Sequence, residues 1–260
     1  MSPLTPNRDF TIATHHLNGN VALIEVQKVN DRVFDALLWS TGLVIMTASC
    51  RIYYLLYSDY EDSAQSVTAQ PLMKLPDWLP TNSNERPTSW GAIEPQLSPT
   101  ASVIVFVATN ANRIYKLDGL HEAKELPNFK SPSPIGHIAV APSGAFVAFC
   151  SALQLNVLTS TRFDSVLETT LAPKNAENPG QYLPHQIAFC GSDAIVIKYN
   201  RPESNDVIIF GSDKQYRLSF SMPTFLATEP DGLRILSSKC DFVQTVPRKL
   251  FLIKVVNLGS

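Results

Sequence analysis

GHIAVAPSGAFVAF, residues 136–149, is the stretch of this sequence that decides the fold. A short apolar strand leads into a turn at Pro142, Ser143 and Gly144, and a second apolar strand follows. Such a turn uses the fixed φ of proline at one position and the permissive φ of glycine at a later one. A third apolar segment comes next, at 153–158. This order of inner strand, tight turn and next strand is typical of the opening of a blade in a β-propeller.

The same layout recurs at intervals of roughly 40 to 60 residues, a spacing typical of propeller blades. The strands of the other units are predicted at 33–39, 43–47, 51–56, 103–108, 113–117, 186–190, 194–199, 206–210, 215–220, 224–228, 233–237 and 242–246. The Trp-Asp pair that marks WD40 repeats is absent from these units, so the repeat is degenerate. We therefore predict an all-β fold, a partial β-propeller of about four to five degenerate WD40-like blades, over residues 1–247.

The remaining residues, 248–260, carry an apolar run at 250–253 that has no blade partner in the pattern, and we predict an atypical C-terminal tail there. Closed propellers commonly have more blades than the repeat indicates. The sequence thus predicts an incomplete ring with unpaired strand edges, which are prone to aggregation.

Charge and hydropathy exclude several classes of function. The chain has 21 Lys and Arg against 23 Asp and Glu, a net charge of −2, so there is no electrostatic case for nucleic acid or an anionic membrane surface. The first ten residues lack the apolar segment of a secretory signal. No apolar run approaches the roughly 20 residues of a membrane-spanning helix. We therefore expect a cytoplasmic protein that meets membranes only peripherally, through partners.

The residues that most often carry chemistry do not form a site in the sequence. His15 and His16 would point to opposite faces of a strand, so they could not easily share a metal. His121 and Glu122 lack the second histidine of the zincin motif. His137 and His185 each begin a predicted strand after a proline-containing loop, and we interpret each as making a structural hydrogen bond rather than as catalytic.

The other candidates favour structural roles as well. An acidic cluster at Asp59, Glu61 and Asp62 does not match the spacing of a calcium loop and reads as a solvated surface loop. The segment 76–87 carries three prolines and reads as an irregular connection. Basic residues do not alternate with the tryptophans at 39, 78 and 90 as a base-stacking platform would require, and Trp39 is predicted in the core.

The cysteines at 50, 150, 190 and 240 are far apart and form no Cys-x-x-Cys pair. We expect them to be reduced, small apolar core residues rather than zinc ligands. Motifs for a nucleophile elbow, a P-loop or a dinucleotide fingerprint are also absent. We expect no catalytic residue, no cofactor and no metal.

The segment EPDGLRILSSKCDFVQTVP, residues 229–247, resembles the end of the N-terminal propeller in the vacuolar protein sorting-associated protein 16 family. In that family a stretch of the form E-x-D-G-[VIL]-R-I, then a polar spacer and a strand ending in Val-Pro, closes the propeller. The matching residues are Glu229, Asp231, Gly232, Arg234, Ile235, Val246 and Pro247. Further segments fit in order and spacing at 30–36, 42–51, 90–96 and 142–148. The resemblance covers roughly residues 20 to 247.

The resemblance implies a non-catalytic scaffold subunit of the class C core shared by the HOPS and CORVET tethering complexes. Such subunits act in vesicle transport from endosome to vacuole or lysosome, peripherally on late endosomal and vacuolar membranes. The implied partners are the other class C core subunits. In the family a helical solenoid beyond the Val-Pro end contacts a Sec1/Munc18-type subunit, and residues 248–260 do not match that solenoid, so this contact is not expected here.

Two other functions stay open on the residues. One is an interaction module of another trafficking or coat complex, which only the segment 231–235 separates from the first. The other is a catalytic propeller with a site at its central channel, which requires inward-facing His, Asp or Glu on several blades. The blade-opening strands at 139–141, 187–189 and 226–228 are almost entirely apolar, which argues against catalysis. At Gly232 we expect a tight turn that needs a permissive φ.

Overall fold

The structure is a computed structural model of the chain. The residues that it describes are 12–15, 21–24, 31–39, 42–56, 73–79, 84–119, 121–126, 129, 131–172, 177–192, 194–200, 205–211, 215–229, 232–237 and 240–243. The acidic cluster at 59–62, His16, Asp231, Val246, Pro247 and the segment 248–260 lie outside these residues.

The described residues form strands and two short 3-10 turns, Pro95–Leu97 and Pro179–Tyr182. The strands are β1 Ile12–His15, β2 Val21–Ile24, β3 Val33–Trp39, β4 Gly42–Thr47, β5 Ile52–Leu56, β6 Met73–Lys74, β7 Pro87–Ile93, β8 Ile104–Thr109, β9 Ile114–Asp118, β10 His121–Glu125, β11 Ile135–Val140, β12 Phe146–Ser151, β13 Gln154–Thr159, β14 Ser165–Thr170, β15 Gln186–Cys190, β16 Ala194–Asn200, β17 Asn205–Phe210, β18 Gln215–Phe220, β19 Phe225–Glu229, β20 Gly232–Leu236 and β21 Cys240–Val243.

The strands are grouped into antiparallel sheets that follow chain order. Blade 1 is β3–β6, blade 2 is β7–β10, blade 3 is β11–β14, blade 4 is β15–β18 and blade 5 is the three-stranded sheet β19–β21. A separate two-stranded sheet is formed by β1 and β2. The first strands β7, β11, β15 and β19 lie side by side and are the inner strands of their blades. The arrangement confirms the predicted all-β propeller and its count of about four to five blades.

Blade stacking explains why the middle strands are apolar at successive positions. Alternate side chains of a strand point to opposite faces of the sheet. In β8, Val105 and Val107 face blade 1, whereas Ile104 and Phe106 face blade 3. All six residues of β8 are buried, because a neighbouring blade covers each face.

Each boundary between adjacent blades contains its own apolar cluster. Blades 1 and 2 meet around Val44, Tyr54, Val105 and Leu117. Blades 2 and 3 meet around Phe106 and Phe149, whose rings pack edge to face at 6.1 Å. Blades 3 and 4 meet around Cys150, Phe189 and Ile197, and blades 4 and 5 around Val196, Leu233 and Ile235. Burying each such large side chain contributes roughly 1.5–3 kcal/mol relative to an exposed one, so the blades depend on their neighbours for stability.

The sequence prediction did not include six of the described strands, β1, β2, β6, β7, β10 and β14. The strands β10 and β14 are outermost in their blades, and the pattern missed both because their residues are mostly polar and exposed. The predicted irregular connection contains the start of β7 at Pro87 and also a core residue, Trp78. Trp78 packs against Tyr115 at 5.4 Å, and its indole N–H donates to the carbonyl of Cys50 at 2.8 Å.

Candidate functional site: the inner strands and the central cavity

The carboxyl ends of the inner strands surround a cavity of about 400 Å³ near the ring axis. It opens on the side of the ring where each inner strand turns into the second strand of its blade. Its lining residues come from blades 1, 2, 3 and 5 and include Leu38, Trp39, Ile93, Glu94, Val140 and Thr228. The walls are mainly aliphatic and aromatic, as in many ligand pockets.

Glu94 is the one charged residue in the lining of this cavity. It follows β7 and precedes the short turn at Pro95–Leu97, and the residue is half-buried, so it lies where the cavity meets solvent. Burial raises the pKa of Glu94, because desolvation disfavours the charged form. No described residue pairs with this carboxylate by an ion pair or a hydrogen bond. The cavity therefore has an unpaired acidic group at the edge of an apolar surface.

At the amino ends of the inner strands, side chains connect neighbouring blades through hydrogen bonds. His137 on β11 donates from Nε2 to the carbonyl of Pro184 at 2.6 Å and connects blades 3 and 4. This confirms the structural hydrogen bond predicted for His137. Burial is the main cause that lowers the pKa of His137, so the neutral imidazole is favoured. His185, in contrast, has an exposed side chain, and its backbone N–H donates to the carbonyl of Lys198 at 2.7 Å.

Gln186 makes the contact between blades 4 and 5. Its side-chain Nε2 donates to the carbonyl of Leu226 at 2.7 Å, and its Oε1 accepts from the backbone N–H of Leu226 at 3.0 Å. The side-chain amide of Gln186 thus takes the place of a backbone N–H and C=O. It connects the inner strands β15 and β19, which do not pair directly with each other.

The other two boundaries use different side chains. Between blades 2 and 3, the hydroxyl of Thr88 donates to the carbonyl of Ile135 at 2.7 Å, and the hydroxyl of Ser89 accepts from the N–H of Ile138 at 2.8 Å. Between blades 1 and 2, the indole N–H of Trp90 donates to the carboxylate of Asp35 at 2.8 Å. Each of the four boundaries among the described blades therefore has a polar contact of its own.

Lys198 is a polar residue within the core. It lies on β16, its side chain is fully buried, and its ammonium nitrogen has no hydrogen-bond partner. The nitrogen lies 4.6 Å from the ring centroid of Phe225 on β19, within range of a cation–π interaction. Burial lowers the pKa of Lys198. The sequence analysis missed this residue, although a lysine inside the apolar run AIVIKYN is a visible signal.

The residues of the predicted family motif that the structure describes lie together on blade 5. Glu229 and Arg234 form an ion pair at 2.9 Å across β19 and β20. Ile235 is fully buried against blade 4. Gly232 begins β20 opposite Glu229, and its φ of 159° is close to extended backbone. Residues 230 and 231, which precede Gly232 in the predicted turn, lie outside the described residues, so the tight turn stays a prediction.

The remaining sequence candidates do not meet in one place. His121 is exposed on the outer strand β10, 3.7 Å from the carboxylate of Asp118. Cys150 and Cys190 are buried in two different clusters, as predicted, and burial raises the pKa of the Cys150 thiol to about 12. Cys50 is half-buried. Within the described ranges no three His, Cys, Asp or Glu side chains are grouped in a way that could hold a metal ion.

The part of the chain that the structure describes holds no helix with the length and apolar character needed to span a bilayer.

The chain matches one family model and one curated protein. A family model described as the N-terminal region of Vps16 matches residues 13–257. A vacuolar protein sorting-associated protein 16 homolog from Dictyostelium discoideum is 23% identical over 210 residues, which are 80% of this chain and 23% of that protein. The chain thus spans less than a quarter of the length of this relative.

Solved structures resemble the chain in fold alone. Sqt1 from Saccharomyces cerevisiae gives a TM-score of 0.59 at 10% identity, over 90% of this chain and 65% of that one. Virginiamycin B lyase from Staphylococcus aureus gives a TM-score of 0.56 at 13% identity, over 92% of this chain and 75% of that one. Propeller folds host many unrelated functions, so the similarity to these two structures does not assign an activity to this chain.

Proposed function

The chain belongs to the family defined by the N-terminal region of Vps16, and from this membership we propose that it is a non-catalytic scaffold subunit in vacuolar protein sorting. More specifically, it acts within the class C core of the HOPS and CORVET tethering complexes, in transport between endosome and vacuole or lysosome. The family match over residues 13–257 is the observation that carries the proposal.

The architecture supports a role in protein contacts. Side-by-side blades present a wide, rigid surface, and protein binding on such a surface requires no titrating groups. The inner strands, where a catalytic propeller would place its reacting side chains, present mainly apolar residues to the cavity. As a subunit of this kind, the chain would reach late endosomal and vacuolar membranes peripherally, through its partners.

The motif residues have a proposed role in the same scaffold. The ion pair between Glu229 and Arg234 stiffens the hairpin of blade 5, and Ile235 anchors that hairpin on blade 4. In this proposal the motif holds the last described blade in place, and the surface that meets the partner subunits stays rigid.

The test is affinity purification of the tagged chain from cells of the source organism, with mass spectrometry of the co-purifying proteins. The expected result is recovery of the other class C core subunits. A Gly144→Val chain, which should not hold its fold, is the control for capture by chaperones. Recovery of a different trafficking or coat complex by the folded chain would replace this function with the alternative. Recovery of no complex by the folded chain would contradict both.

A further inference from the structure

The cavity at the carboxyl ends of the inner strands has the size and lining of a binding site. Its volume of about 400 Å³ falls within the range of pockets that take small ligands or several side chains. Trp39 and Trp90 contribute aromatic wall, and Ile93 and Val140 contribute aliphatic wall. Burial of an apolar side chain here would therefore be favourable.

The apolar surface continues outside the cavity. Leu38 is 74% exposed and Leu97 is 36% exposed, and both border the opening. An exposed leucine by itself is unremarkable, but two beside an open apolar cavity form a continuous patch of the kind that marks interaction sites. Such a patch extends beyond what a small molecule inside the cavity would cover, and it fits a segment of a protein chain better.

The charge at the opening indicates what else the partner carries. Glu94 has no cationic partner among the described residues, and the lining contains no Lys, Arg or His that could hold an anion. A carboxylate that is partly withdrawn from water gains most from a nearby cation. Lysine and arginine can supply that cation while their aliphatic stems lie along an apolar wall.

We propose that this cavity binds an extended segment of a partner protein in which a lysine or arginine lies next to a large apolar side chain. The apolar side chain enters the cavity between the inner strands of blades 1, 2 and 3. The cationic group meets the carboxylate of Glu94, and the flanking residues cover Leu38 and Leu97. The inference rests on the proposed function as a protein-contact scaffold and adds the chemistry of one contact to it.

The probe is a capped pentapeptide with lysine between two leucines, titrated into the full chain up to about 1 mM, a concentration that still detects weak binding. Two control peptides replace the lysine by glutamate or both leucines by alanine. Isothermal calorimetry measures the binding, and tryptophan fluorescence reports on Trp39 and Trp90. The expected result is saturable binding of the lysine peptide that both replacements abolish.

Variants of the chain test whether the binding occurs at this place. Glu94→Gln should weaken the binding of the lysine peptide by about tenfold, because a charge-assisted contact is lost. Leu38→Asn, which removes the apolar contact without adding charge, should remove the binding. Val166→Asn is the matched control, because Val166 is also an exposed strand residue, at 56%, and lies outside the cavity on β14. Circular dichroism and thermal melting check that all three variants keep the fold.

Absence of saturable binding by the unaltered chain would overturn the inference. So would equal binding of the lysine and glutamate peptides, or binding that Glu94→Gln leaves unchanged. The two proposals fail separately. A chain that recovers the class C subunits but ignores the peptide keeps the proposed function and loses the cavity site. A chain that binds the peptide but does not recover those subunits keeps the cavity site and loses the proposed function.

Discussion

Gly144 is the residue at which a single added methyl group should be most informative. It lies in the turn between β11 and β12 with a φ of 68°, in the left-handed region that side chains disfavour. A Cβ atom there would lie 2.7 Å from the Cβ of Leu97, 3.0 Å from the carbonyl oxygen of Leu97 and 3.1 Å from Cγ2 of Ile93. The two Leu97 atoms are fixed to the backbone, so no side-chain rotation relieves the contact.

Two effects add in Gly144→Ala. The left-handed backbone costs an alanine roughly 1 kcal/mol more than a glycine. Forcing an extra methyl group into a packed boundary costs about 1–3 kcal/mol. We therefore expect the free energy of unfolding to fall by about 2–4 kcal/mol, a large part of the roughly 5–15 kcal/mol of a typical domain.

Gly191 provides a matched control, because it occupies the corresponding turn of blade 4. Its φ is 59°, and a Cβ atom added there would meet nothing within 4 Å. Gly191→Ala should therefore show only the backbone effect, about 1 kcal/mol. Urea unfolding followed by tryptophan fluorescence and circular dichroism measures both variants, and equal m-values make the comparison valid. Equal losses of stability in the two variants would refute the steric reasoning, because the Leu97 contact would then be free to relax.

Three further changes test the contacts between blades. His137→Ala should lower the free energy of unfolding by about 1–2 kcal/mol. Because burial lowers the pKa of His137, its contribution is complete above pH 6.5 and declines as the pH falls below that value; a pH-independent difference between variant and parent would contradict this. Gln186→Ala should lower the free energy of unfolding by about 1–3 kcal/mol and speed hydrogen exchange in blade 5. Gln215 is exposed, so Gln215→Ala should change neither quantity. Lys198→Met should raise the free energy of unfolding by about 1–3 kcal/mol at pH 7. That gain should shrink as the pH rises, because the lowered pKa lets the buried amine lose its proton before the amine of the unfolded chain does. Destabilisation by Lys198→Met would contradict the assignment.

The blade pattern could be predicted from the sequence because alternation and turn chemistry are local. The unit at 136–149 contains both of its strands and the Pro-Ser-Gly turn within one window, and Gly144 has the permissive φ expected of that turn. The middle strands were equally visible, because cover on both faces makes most of their positions apolar. The outer strands β10 and β14 were not visible, because they meet solvent and their composition resembles that of loops, whereas the outer strand β18 alternates and was predicted at 215–220.

The candidate site could not be predicted in the same way, because its residues meet only after the blades are arranged around the axis. Gln186 and Leu226 are 40 positions apart, and Asp35 and Trp90 are 55 apart. The alternation of residues along a strand predicts which face of the sheet a side chain occupies. It does not predict which residue of the next blade lies opposite that side chain. Glu94 was therefore one glutamate among many in the sequence, and its position beside Trp39 and Val140 is a property of the assembled ring.

The polar contacts between blades also explain why the repeat is so weak in the sequence. A sharp repeat signature arises when equivalent positions of every blade carry the same hydrogen-bonding residue. Here one boundary uses the imidazole of His137, another the amide of Gln186, another the hydroxyls of Thr88 and Ser89, and another the indole of Trp90. All of them meet the same physical demand, which is to satisfy a buried polar group where two inner strands lie side by side without pairing. The shared property is thus the hydrogen bond and not the residue that makes it, so what recurs along the chain is the apolar spacing and the turn chemistry.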